Sequence, residues 1–286
     1  MFAIAILGFG VILLLGGGYL LMRGEPDYYT GRTLSAQDEA LAAGSAENKF
    51  QQMLNSADLA HRDSALAAQA SRTGTTHPTT ASAGITVTFT DDELNSVFKK
   101  WSELNNWKAS YQKYMTNPMV IFQPDRIILV GRVQNSDLNA VVSLHLQPQV
   151  LPDGTVQLKL VRALAGRLPV PTALFQKYLD KAVVALQLRL PQWQARAEIE
   201  PDGEANSDAI SAQLAKIAIA ALHQQPGDGV LFLPTAGKAN VPVKVVDVDM
   251  KEHTLQFSFQ PLTGPERDAL LQRIKQPIGT ETASSN

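Results

Sequence analysis

The first 22 residues contain no charged side chain, and Phe2, Ile4, Ile6, Leu7, Val11, Ile12, Leu13, Leu14 and Leu15 make most of the run strongly apolar. As a helix at about 1.5 Å per residue it would be about 33 Å long, against a hydrocarbon core of about 30 Å. Unsatisfied peptide groups are costly in lipid, so a helix is the single-segment solution. A secretory signal would show a basic start, a shorter apolar stretch and a small-residue cleavage site. This chain starts with no Lys or Arg, and Arg23-Gly24-Glu25-Pro26-Asp27 offers no such site. Residues 1–23 therefore read as an uncleaved transmembrane anchor. Arg23 and Arg32 alone weakly favour a cytoplasmic C-terminal side.

Residues 24–84 are dominated by small and polar side chains, and the Thr/Ser/Gly/Pro-rich stretch 73–84 has no periodic apolar face. The expectation here is a partly helical, flexible linker. Phe50, Met53 and Leu54, at helical spacing, mark one or two short helices within it.

From residue 85 a folded pattern begins. Ile85, Val87 and Phe89 alternate with Thr86, Thr88 and Thr90, as in a half-buried strand. Thr90-Asp91-Asp92-Glu93 has the spacing of a capping box, and Leu94, Val97, Phe98, Trp101 and Leu104 follow at helical intervals. The acidic pair suits a helix N-terminus, where the backbone dipole favours negative charge. A structural start is the expected role, not a catalytic carboxylate pair.

Extended runs at 119–123 and 126–133 flank Pro124-Asp125, and runs at 138–150 and 155–164 flank Pro152-Asp153-Gly154. In the long pair Ala140, Val142, Leu144 and Leu146 are assigned to an apolar face, with Ser143, His145 and Gln147 on a wet one. Val156, Leu158 and Leu160 alternate opposite them. Helices are expected from Leu174 and Phe175 to Leu186, over 208–222 and over 265–274, with a last hairpin at 241–248 and 254–261 in which Leu255, Phe257 and Phe259 share a face. The fold class expected is α+β: a transmembrane helix, a tether, then a mostly antiparallel curved sheet packed on amphipathic helices over 85–276, with a disordered tail at 277–286.

Three pieces carry a resemblance: Phe89-Thr90-Asp91-Asp92-Glu93-Leu94-Asn95, then Leu146-Gln147-Pro148-Gln149-Val150-Leu151-Pro152-Asp153-Gly154, then Gly166-Arg167-Leu168-Pro169-Val170-Pro171. In this order they resemble the YpmS-like family of membrane-anchored bacterial proteins. The resemblance implies one short N-terminal anchor and an extracytoplasmic α+β domain, and it outweighs the weak charge count. Lipid handling, as in tubular lipid-binding domains, is an analogy of fold. The long tether and the segment at 208–222 depart from the family pattern.

Chemistry-bearing motifs are scarce. The chain has no cysteine, which excludes disulfides, thiol nucleophiles and Cys-based metal sites. Its 25 basic and 27 acidic residues are mixed, with no basic run of the kind a nucleic-acid binder displays. The five histidines lack zinc-protease spacing, and no nucleophile elbow, phosphate loop or dinucleotide fingerprint occurs. Asp247 and Asp249 share one side of a strand, as a divalent-cation site or, the expectation taken here, a solvated face would have them. The reading that emerges is a cell-membrane, single-pass, non-enzymatic protein without metal or cofactor. Its partners are the bilayer and a lipid or other amphiphile, bound through Phe98, Trp101, Leu144, Leu158, Phe175 and Phe257. The alternative is a scaffold or assembly factor contacting an envelope protein.

Overall fold

The computed structural model describes residues 24–29, 33–72, 84–104, 108–109, 112, 115–134, 139–151, 155–171, 229–234 and 240–262, with single residues and short pieces between 183 and 227 and at 266. The expected anchor at 1–23, Phe175, and nearly all of the helices expected after it lie outside these residues. Among the described residues no helix is long and apolar enough to cross a membrane.

The described chain is α+β and antiparallel, but it builds two sheets where one curved sheet was expected. Helix α1 (Ala36–Arg72) comes first, followed by β1 (Ile85–Thr90) and helix α2 (Asp91–Leu104). Strands β2 (Met115–Gln123), β3 (Arg126–Gln134), β4 (Asn139–Val150), β5 (Val156–Ala165) and β6 (Leu168–Pro169) form a five-stranded meander in chain order. Strands β7 (Val230–Pro234), β8 (Asn240–Lys251) and β9 (Thr254–Pro261) join β1 in a second sheet of order β1-β9-β8-β7. Alternation along a strand specifies a face, not a neighbour. That β1 pairs with β9 across most of the chain is therefore settled only in the folded state.

Helix α1 is one long helix where one or two short ones were expected within 24–84, and the expected flexible stretch at 73–83 lies outside the described residues. The helix runs 37 residues without a break and lies on the four-stranded sheet. Its packing stripe is Ala43, Ala46, Phe50, Met53, Leu54 and Ala57, spaced at three, four and seven residues. Three of these six are alanines, which raise helix propensity while allowing close approach, yet add little hydrophobicity to a sequence pattern. Phe50 meets Phe89 with ring centroids 4.8 Å apart.

The start of α2 is the junction of the molecule. The capping box forms as expected, with the Glu93 amide donating to Thr90 Oγ1 at 3.1 Å and the Thr90 amide to Glu93 Oε2 at 2.8 Å. The other oxygen of Glu93 accepts from Ser45 Oγ at 2.5 Å and Lys49 Nζ at 2.6 Å, which fastens α1 to α2. Burial raises the Glu93 pKa, but the Lys49 and Ser45 hydrogen bonds, the Thr90 amide and the Lys49 charge outweigh it and leave it below the usual range. Asp91, with none of its surface exposed, lies 3.0 Å from His253 Nδ1 in the β8–β9 turn and accepts from the Phe122 amide of β2 at 3.4 Å. Asn95 donates to the Val120 carbonyl and accepts from the Val120 amide, both at 2.7 Å, so it completes an edge strand as another strand would. One six-residue stretch thus ties α1, β2 and the last hairpin together.

The apolar stripe expected on α2 is rotated. Glu93, Ser96, Val97 and Ser102 are buried, whereas Phe98, Trp101 and Leu104 are 39%, 40% and 70% exposed. Val97 and Glu93 meet Ala43, Ala46, Ser45 and Lys49 of α1, which leaves Phe98 and Leu104 outward. Between the sheets, Phe122 packs with Met250 and Leu255, and Leu94, Val120, Ile127, Val248 and Phe257 surround them. On β8 a bulge between Val245 and Asp247 leaves Val246 exposed together with Asp247 and Asp249. Among the described residues no three His, Asp or Glu side chains are placed to hold a metal ion.

Candidate functional site

The two faces of the five-stranded sheet differ sharply. Register places Val120, Leu129, Leu144 and Ala163 in one row across β2 to β5, and Phe122, Ile127, Leu146 and Leu160 in the next. Pro148 and Leu158 extend the same face. No charged residue falls on it, and Val120, Ile127, Leu144, Leu146, Leu158 and Leu160 are partly exposed, with Leu129 at 43%. At its Phe122 end this face runs into the cluster between the sheets that includes Phe257.

Of the expected ligand-contacting residues, Leu144 and Leu158 therefore share a face, and Phe257 belongs to the packing at its end. Phe98 and Trp101 stand apart on α2, where Trp101 stacks near Phe50 with centroids 6.1 Å apart. Phe175 lies outside the described residues.

The opposite face, assigned to water by its Ser143, His145 and Gln147, is a correction. Ser143 is fully buried and His145 is 4% exposed. What covers them is the segment just after the expected anchor, residues 25–29. Tyr28 Oη shares hydrogen bonds with Ser143 Oγ at 2.8 Å and His145 Nε2 at 3.3 Å, and its ring meets the imidazole edge-to-face at 5.8 Å. Tyr29 enters a cluster with Ile121, Ile128, Val130 and Val141, and its hydroxyl donates to the Asn117 carbonyl at 3.3 Å. Glu25 pairs with Arg132, and Asp27 with Arg167 at 2.5 Å. Arg167 also donates through Nε to the Glu25 carbonyl at 3.2 Å. A strap of five residues is thereby pinned by two tyrosines and two arginines.

Burial raises the hydroxyl pKa of both tyrosines, opposed at Tyr28 by Ser143 and Arg162 and at Tyr29 by Asn117. Burial, with Arg126 and then Arg162 nearby, pulls His145 down to about 4, so the ring is neutral near pH 7. Its Nδ1 is buried without a hydrogen-bond partner among the described residues. The hydrogen bonds of Tyr28 to Ser143 and His145 hold the strap against the sheet. The strap was missed because Tyr28 and Tyr29 sit in a short, polar, turn-forming stretch with no periodic pattern. The available signal was the pair of adjacent aromatics themselves.

Compared with known proteins, the chain matches no family model, no curated protein and no solved structure.

Proposed function

We propose that this is a single-pass membrane-anchored envelope protein, its α+β domain outside the cytoplasm, that binds a lipid or another amphiphile on the uncharged face of its five-stranded sheet and catalyses no reaction. One observation carries the reading: an apolar face crossing four strands, free of charge throughout, with Leu129 43% exposed in its middle. A sheet face of this kind needs a cover, and extended aliphatic chains fit rows of Leu and Val. Of the acidic residues at the start of α2, Asp91 and Glu93 are engaged in structural hydrogen bonds. The uncharged first 22 residues support the anchor, and the YpmS-like motifs support the outward orientation.

The test is a photoreactive amino acid at Leu144 or Leu158 of the full chain in its own membranes, with the adducts identified by mass spectrometry. Lipid adducts are expected at both positions. Adducts only to the chain itself at both would refute lipid binding there. The exposed edge Phe98, Trp101 and Leu104 favours a second reading, a scaffold whose α2 contacts another envelope protein. Protein adducts at Phe98 without lipid adducts at Leu144 would select it.

A further inference from the structure

The cationic residues of the five-stranded sheet all fall on one side. By register Arg126 and Arg132 on β3, and Lys159 and Arg162 on β5, share the strap face with Ser143 and His145, and a bulge beside Val161 keeps Lys159 and Arg162 on it. Arg132 is matched by Glu25, and Arg167 in the β5–β6 turn by Asp27. Arg126, Lys159 and Arg162 are exposed and form no ion pair with a carboxylate among the described residues; Asp125, in the adjoining turn, is the acidic group next to Arg126. Both Arg126 and Arg162 act electrostatically on the His145 ring, which places their charge around the strap rather than at a distant edge.

The same face is where the chain arrives from the apolar segment. Met22 is three residues before Glu25, a reach of about 10 Å at most, and Glu25 is already bound to Arg132. A domain joined this closely cannot swing free on a long leash. Its strap face stays near the plane from which the segment emerges.

We infer that the strap face is a docking surface for anionic phospholipid headgroups of the bilayer that holds the chain's own N-terminal segment, with Arg126, Lys159 and Arg162 meeting the phosphates. The inference rests on the anchor proposed above. The Tyr28 and Tyr29 strap fills the part of the face from Val141 to His145, and the three cations follow it at the His145 and Gln147 end. The uncharged opposite face is thereby turned away from the headgroups. Each cation near an anionic surface strengthens docking by about fivefold, and three together by roughly a hundredfold, with salt screening the effect.

Because the chain has no cysteine, Gln149→Cys, on the exposed end of the same face, gives a single labelling position. The full chain is reconstituted in vesicles of phosphatidylcholine, or of phosphatidylcholine and phosphatidylglycerol in equal parts, with a nitroxide quencher on a fraction of the headgroups. Fluorescence quenching is expected to rise severalfold in the anionic vesicles. High salt should abolish the rise, as should the triple change Arg126→Gln, Lys159→Gln and Arg162→Gln. Salt acts on the unaltered fold, so its effect stands even where the triple variant is misfolded. Equal quenching in both vesicles, or a rise that high salt leaves intact, overturns the docking surface. Alkali-resistant flotation with phosphatidylcholine vesicles reads the anchor separately. A chain that floats without a composition-dependent rise loses only the docking, whereas one that does not float loses both.

Discussion

Acid should loosen the strap face through His145. The ring is 4% exposed, shares its Nε2 with Tyr28, has no partner for Nδ1 among the described residues, and lies near the charges of Arg126 and Arg162. The folded ring takes up a proton only near pH 4, and the unfolded ring near 6.5. Between those values the unfolded chain binds more protons, so stability falls as the pH drops through this window and levels off below it. A shift of this size corresponds to about 3 kcal/mol over the window, a large part of a domain's total of about 5–15 kcal/mol. Pulse proteolysis of the full chain in nanodiscs, across urea and from pH 7.5 to pH about 4, measures this for the natural protein and for His145→Gln. Glutamine retains a group for Tyr28 but does not titrate. The difference between the two profiles should grow steadily below pH 6.5. Glu93 also loses stabilisation in acid, because its folded pKa is depressed, but its loss begins near the ordinary carboxylate range and is common to both proteins. Parallel profiles for the two proteins would refute the reasoning about His145.

Three further outcomes test the junction and the meander. Asp91→Ala removes the buried acceptor of the Phe122 amide and the partner of His253 Nδ1 and should cost about 2–3 kcal/mol by urea midpoint, whereas Asp91→Asn, which keeps one acceptor, should cost about half as much. Asn95→Ala frees both polar groups of Val120 and should lower stability by about 2–3 kcal/mol and speed amide exchange at Val120 in preference to Ile128. A methyl at Gly131 would sit 2.3 Å from Met115 Sδ and 3.4 Å from Pro118 Cα, so Gly131→Ala should cost about 1–3 kcal/mol, and Met115→Ala in the same chain should recover part of the loss.

Much of the local structure was readable in advance, and the failures have definite causes. The capping box at Thr90 and Glu93, the Pro124-Asp125 turn and the strands on either side of it depend on groups within a few residues of one another, where sequence spacing is spatial spacing. The extent of helix α1 escaped because its packing stripe is half alanine, and α2 was rotated because its contact with α1 runs through Val97 and the charged Glu93 rather than through Phe98. In the candidate site, the apolar row through Leu144 and Leu158 was legible from alternation on β4 and β5. Its extension through Leu129 and Val120 required the register of the hairpins.

The amino-acid sequence alone determined the uncharged opening segment, the alternation of β1 and of the strands in the meander, and the absence of cysteine chemistry, since these are properties of neighbouring residues. Only the tertiary structure decided that Ser143 and His145 are dry. Polarity fixes what a side chain costs to bury, not whether a partner will come to it, and Tyr28 arrives from 115 residues away to supply that partner.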